Sequence, residues 1–136
     1  MSYAMAEALQ TAIFARLKAH VPLTDMLGEA IYDALPAGPL PPLYAVLGAE
    51  KARDASDGTA SGAAHEFTVS VVSDAAGFRA AKQAAAAISD ALSGPPPELS
   101  RGRLVGLWFA RARARREGSG DARRVDLTFR ALSEDG

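Results

Sequence analysis

The residues with the most chemical potential in this sequence are arginines. Arg111, Arg113, Arg115 and Arg116 crowd into one short stretch directly after Leu107-Trp108-Phe109. In an extended strand successive side chains alternate between faces. Period two therefore puts Arg111, Arg113 and Arg115 on one face and Trp108, Ala110, Ala112 and Ala114 on the other. The expectation is a basic ridge on a sheet, with Trp108 in the core. Such a ridge has three uses. It can hold phosphates through multiple charge contacts, pair with carboxylates of an adjacent strand such as Asp126, or meet acids on a neighbouring subunit. No aromatic residue is interleaved with the arginines, as a nucleic-acid surface would favour.

The remaining inventory proposes no reaction. Catalysis needs convergent nucleophiles, bases or metal ligands. The two histidines, His20 at the end of a helical segment and His65 at the start of a strand, have no metal-ligand spacing. They read as a helix C-terminal cation and a strand-edge polar residue. Asp54, Asp57 and Glu66 lack the liganding pattern of a calcium loop. Gly58 and Gly62 lack the strand before and helix after that give a phosphate-cradling loop its meaning. Cysteine is absent, which removes disulfides, thiolate ligands and thiol nucleophiles together. The expectation is a protein without catalytic residues, cofactor or metal, and not an enzyme.

The elements that must position these residues follow from hydrophobic period. Met5, Leu9, Ile13 and Leu17 recur at helical spacing from Ser2, a potential cap, to His20. Val21-Pro22 interrupts that helix, and Thr24–Gly28 reads as one short helical turn closed by glycine. Ile31–Leu35 is a short strand before the proline-rich loop Pro36–Pro42, and Leu43–Leu47 is a better one, with Glu50–Arg53 as its polar continuation. Ala52–Ala64 has no large apolar residue and reads as a flexible loop. Phe67, Val69 and Val71 mark a half-buried strand, and Phe78, Ala81, Ala85, Ile88 and Leu92 a second amphipathic helix, stopped by Pro95-Pro96-Pro97. Leu104–Arg116 and Arg123–Leu132 form a hairpin through the glycine-bearing Glu117–Ala122, with Val125, Leu127, Phe129 and Ala131 inward. The order predicts an α+β domain over residues 1–136: an antiparallel sheet of about four strands with two helices packed on one face.

Composition sets outer bounds. A chain of 136 residues suits one domain with one modest core. Of its residues 49% are hydrophobic, but many are alanine, which adds little buried area, so partner contacts matter to such a subunit. Fifteen basic against 16 acidic residues give a net charge of -1, so no whole-protein attraction to nucleic acid or anionic membrane is expected. The N-terminal residues lack a secretory signal pattern, and no apolar run approaches the ~20 residues of a membrane span. Synthesis in the cytoplasm is expected.

The whole pattern resembles the phage tail-completion or tail-terminator proteins, including those of phage-like gene transfer agents. The likeness runs through Ala8–Leu17, Ile31–Pro36, Pro42–Gly48, His65–Ser73, Gly77–Leu92 and Asp121–Ala131, and so covers nearly the full length. It implies an α+β subunit that closes into a homo-oligomeric ring, typically a hexamer, at the head-proximal end of the tail tube. There it ends tube growth and joins tail to head. The implied partners are further copies of itself, the tail tube protein and the head-tail connector or stopper. DNA passes only transiently through the channel, no cofactor is used, and the destination is the virion or particle. On this reading Arg111, Arg113, Arg115 and Arg116, with Asp54 and Asp57 in the loop, are candidate interface or channel residues. The rival expectations are a head-side adaptor or stopper ring and a DNA-binding module that uses the arginine ridge.

Overall fold

Alternation of apolar and polar residues in the second half of the chain builds the centre of the molecule. A computed structural model describes residues 3–58, 61–117 and 122–135. Among them the chain forms α1 (Ala6–Ala19), α2 (Val21–Leu27), β1 (Ile31–Tyr32), β2 (Leu43–Asp54), β3 (Ser61–Ser73), α3 (Arg79–Ala91), β4 (Arg103–Arg116) and β5 (Arg123–Asp135). The five strands make one sheet in the order β1-β2-β3-β5-β4. Pairing is antiparallel throughout except for β1, which runs parallel to β2 through Ile31↔Ala45 and Tyr32↔Val46.

The sheet is therefore mixed and five-stranded, with three helices, where about four antiparallel strands and two helices were expected. The extra strand is the remnant of the Ile31–Leu35 segment. Only two residues pair, because the chain leaves β2 towards Pro36. The extra helix is the Thr24–Gly28 turn grown backwards to Val21, with Pro22 in its first turn where a missing N–H is harmless. Gly28, at φ 59, closes it. Ser2, the expected cap of α1, lies outside the described residues, and Met5 at the N-cap position supplies no side-chain hydrogen bond.

The core lies between the helices and one face of the sheet. Leu9, Ile13 and Leu17 of α1, Leu23 and Leu27 of α2, and Ala81, Ala84, Ala85 and Ile88 of α3 pack on Phe67, Val69, Val71, Val125, Leu127 and Phe129. The alanines of α3 let its backbone lie close to the strands. Phe67 and Phe129, directly paired in the register, stack with centroids 5.6 Å apart. Among the described residues no helix is long and apolar enough to cross a membrane.

Ala52–Ala64 is mostly not a loop. Ala52↔His65, Arg53↔Ala64 and Asp54↔Ala63 continue the β2–β3 ladder, and Ala63 is fully buried. Small residues read as a loop here because neighbours fill the space that side chains would take. A Cβ on Gly62 would stand 2.9 Å from the carbonyl oxygen of Ala55. At the end of β2, Asp54 accepts hydrogen bonds from the Ser56 backbone N–H at 3.2 Å and its hydroxyl at 2.6 Å, a turn device that closes the hairpin.

Candidate functional site

The sheet face turned away from the helices carries the arginines. In β5, Arg124, Asp126, Thr128 and Arg130 alternate with the core residues and point to this open face, and the strand register assigns each a neighbour in β4. Arg115 sits opposite Arg124, Arg113 opposite Asp126, Arg111 opposite Thr128 and Trp108 opposite Arg130.

Trp108 thus shares its face with the arginines, contrary to strict alternation. Ala110 is the reason. The register shifts between Phe109 and Arg111, so Ala110 is an extra residue in a bulge and every side chain after it changes face. Trp108 is 53% exposed, not part of the core, and Phe109, 52% exposed, touches the core edge-on through Phe129 at 5.9 Å.

Two of the ridge arginines are tied to carboxylates. Arg111 reaches over β5 to Glu66 of β3 at 2.5 Å, and Arg115 approaches Asp126 at 3.5 Å. The bond from Arg111 holds the Glu66 carboxyl below the usual range. Asp126 is the busiest acceptor, taking the Ser70 hydroxyl at 2.6 Å and the Arg124 Nε at 2.9 Å. Burial works to raise its pKa, but these donors outweigh burial and hold it low. Arg124 also reaches Glu117 at 3.1 Å. Arg113 and Arg116 form no ion pair among the described residues.

Towards the other end of the same face, Lys51, Arg53, Glu66, Trp108, Arg130 and Leu132 border an open concavity of about 640 Å³. Asp54 and Asp57 lie beyond it at the β2–β3 turn, whereas Arg116 ends β4 near the β4–β5 turn. The register puts these turns at opposite ends of the strands, roughly 30 Å apart at ~3.3 Å per residue. The six candidate residues therefore do not form one cluster. The β4–β5 connection expected at Glu117–Ala122 is described only at its two ends.

His65 is not at a strand edge. It lies in central β3, 2% exposed, with Nε2 2.9 Å from the Ser133 hydroxyl. Burial lowers its pKa, an effect partly offset by the charge of Glu50. A polar residue inside a run of small ones gave no sign of this burial. Among the described residues no group of three or more histidine or acidic side chains could hold a metal ion.

With this geometry in view, comparison with known proteins is specific. The family model for tail completion protein gp17 matches residues 11–134. Among solved structures, a chain of the virion of a native gene transfer agent particle is similar over 98% of this chain and 99% of its own, at 57% identity and a TM-score of 0.93. A comparison with curated proteins finds no match. The family-model match across nearly the whole chain, together with this 57% identity over almost the full length, places this protein in the tail completion protein gp17 family.

Proposed function

We propose that this chain is a structural tail-terminator subunit that assembles into a closed homo-oligomeric ring, a hexamer, at the head-proximal end of a tail tube. There it ends tube growth and joins the tail to the head connector. The observation that carries this reading is the near full-length likeness, at 57% identity, to a chain found in a gene transfer agent virion. The physical character of the molecule supports it. β4 is a 14-residue edge strand with exposed Trp108 and Phe109, a surface that association would bury. A repeated head-to-tail contact whose rotation closes gives a ring and leaves no open ends. In this reading Arg111, Arg113, Arg115 and Arg116 belong to a subunit contact or line the channel, and Asp54 and Asp57 meet the tube or the connector. The subunit is made in the cytoplasm, acts without catalysis or cofactor, and meets DNA only as it passes through the ring.

Electron microscopy of particles from cells that lack the protein tests this. The expected result is tails of irregular length, or tails not joined to heads. Normal tails beside heads that leak DNA would overturn it in favour of a head-side stopper.

A further inference from the structure

A basic stretch of strand and an acidic cleft lie on different sides of the molecule. On the open face, Arg113 lies opposite Asp126, whose carboxylate is already engaged by Ser70, Arg124 and Arg115. Arg113 is left exposed with no ion-pair partner among the described residues, and Arg116 lies three residues further along the same strand. The exposed ring of Trp108 precedes Arg113 on the same face. On the helical side, a cleft of about 500 Å³ opens where the start of α1 passes β2 and the residue after β1. Its lining includes Tyr3, Glu7, Phe14, Asp33 and Glu50 and contains no lysine or arginine. Gln10 donates to Asp33 there. One carboxylate oxygen of Glu50, shut off from solvent, has no hydrogen-bond partner among the described residues.

We infer that the Arg113 end of β4 in one copy seats in the Glu7–Asp33–Glu50 cleft of the next copy, head to tail. This rests on the ring reading above and deepens it by naming the two surfaces that meet. Guanidinium and carboxylate make charge-assisted, often forked, hydrogen bonds, which suits an arginine entering a cleft of three acids. Trp108 on one side and Tyr3 and Phe14 on the other supply the aromatic area typical of interface cores. The alternative, ridge against ridge about a two-fold axis, would press arginines together. The unlike surfaces lie on different sides of one subunit, so each copy binds one neighbour and is bound by another, as a ring requires.

The absence of native cysteine makes the contact directly testable. Particles would be assembled in cells carrying the Glu7→Cys/Arg113→Cys variant and treated with a short bis-maleimide. The expected result is a ladder of cross-linked multimers, absent from either single-cysteine variant. In parallel, Arg113→Glu and Glu7→Arg should each lower incorporation into particles about tenfold or more, as like charges brought together repel. Expressing both variants together should restore it, because every contact then has a complementary partner. Particles that hold the double-cysteine protein at normal level but give no ladder would overturn the inference, as would dimers from Arg113→Cys alone. Absence of the wild-type protein from the head–tail junction would instead defeat the ring reading itself.

Discussion

The indole of Trp108 occupies the space left by the missing side chain of Gly106. A Cβ on Gly106 would stand 2.5 Å from Cζ2 and 2.6 Å from Cη2 of that ring. Both residues lie on the open face of β4, where an aromatic side chain shields a strand glycine that would otherwise leave the backbone bare. Gly106→Ala should push the ring outward. Trp108 is the one tryptophan in the chain, so its fluorescence reports this directly. The emission maximum should move to the red while stability changes by less than about 1 kcal/mol, since a half-exposed ring can swing aside. An unchanged spectrum would show that the ring does not rest on this glycine.

Gly102 is constrained more severely. Its φ is +66, and a Cβ there would meet the carbonyl oxygen of Glu134 and the sulfur of Met5, each at 2.5 Å. A methionine tip can turn away, but a strand carbonyl cannot. Gly94 has φ +87 and nothing within 4 Å, so it isolates the conformational strain from the clash. Gly102→Ala should cost about 2–4 kcal/mol and Gly94→Ala about 1–2 kcal/mol by urea unfolding. Equal losses would mean that the Glu134 carbonyl is free to move.

Asp126 holds together the polar half of the open face. Asp126→Ala leaves the hydroxyl of the buried Ser70 without its acceptor and takes from the partly buried Arg124 one of its two carboxylate partners, Glu117 remaining. The expected cost is about 2–3 kcal/mol, below that of a fully buried pair because both charged groups keep some exposure. The folded-state pKa of Asp126 lies below its unfolded value, as do those of Glu66 and Asp135, each held low by its arginine. Their contribution is complete above the ordinary carboxylate range, about pH 4, and is lost as pH falls through the folded-state values. Urea midpoints measured from pH 7 to pH 3 should fall at the acid end, and less steeply in Asp126→Ala. A parallel fall in both proteins would remove Asp126 from the account.

The layered architecture was legible wherever period alone decides the face. Val125, Leu127, Phe129 and Ala131 all point into the core, and the stripe of α3 from Ala81 to Leu92 lies on the sheet. Two kinds of feature escaped. Ile31–Leu35 was legible as a short strand, but its restriction to two paired residues running parallel to β2 is set by the neighbouring backbone, which no local pattern announces. The bulge at Ala110 adds a residue without any compositional mark, since alanine fits either face. That one residue moves Trp108 from the expected core to the same face as the arginines, and so changes the chemistry of the candidate surface. The grouping of Arg111, Arg113 and Arg115 survived because all three follow the bulge. Pairing with Asp126 of the adjacent strand was among the expected uses and Arg115 makes it, whereas Glu66, the partner of Arg111, did not show because it lies two strands away.

The β2–β3 hairpin separates a composition-based reading from one based on pairing. Amides of Ala63–His65 lie in β3 between β2 and β5, alternate amides of Ala52–Asp54 face β3, and Ala55 N–H bonds to the Gly62 carbonyl at 3.0 Å. The amides that face a neighbouring strand should exchange slowly, with protection close to that of Val69, whereas Gly58 beyond the last pair should exchange fast. Uniformly fast exchange from residue 52 to 64 would return the segment to a loop.

His65 should make stability pH-dependent well above the carboxylate range. Its Nε2 faces Ser133, whose hydroxyl lies 3.4 Å from the Ala63 carbonyl, while Nδ1 has no partner among the described residues. Protonating the ring places a second N–H in an apolar layer without an acceptor, so burial depresses the folded-state pKa below the ordinary 6.5, against the weaker pull of Glu50. In that window the unfolded chain binds the proton more readily, and stability therefore rises with pH. The urea midpoint of the native chain should be flat above about pH 7 and decline as pH falls below about 6.5, before the carboxylates begin to titrate. His65→Gln can retain a bond to Ser133 but carries no titrating group, so it should flatten this part of the curve and leave the acid limb unchanged. The same decline in His65→Gln would assign the effect elsewhere.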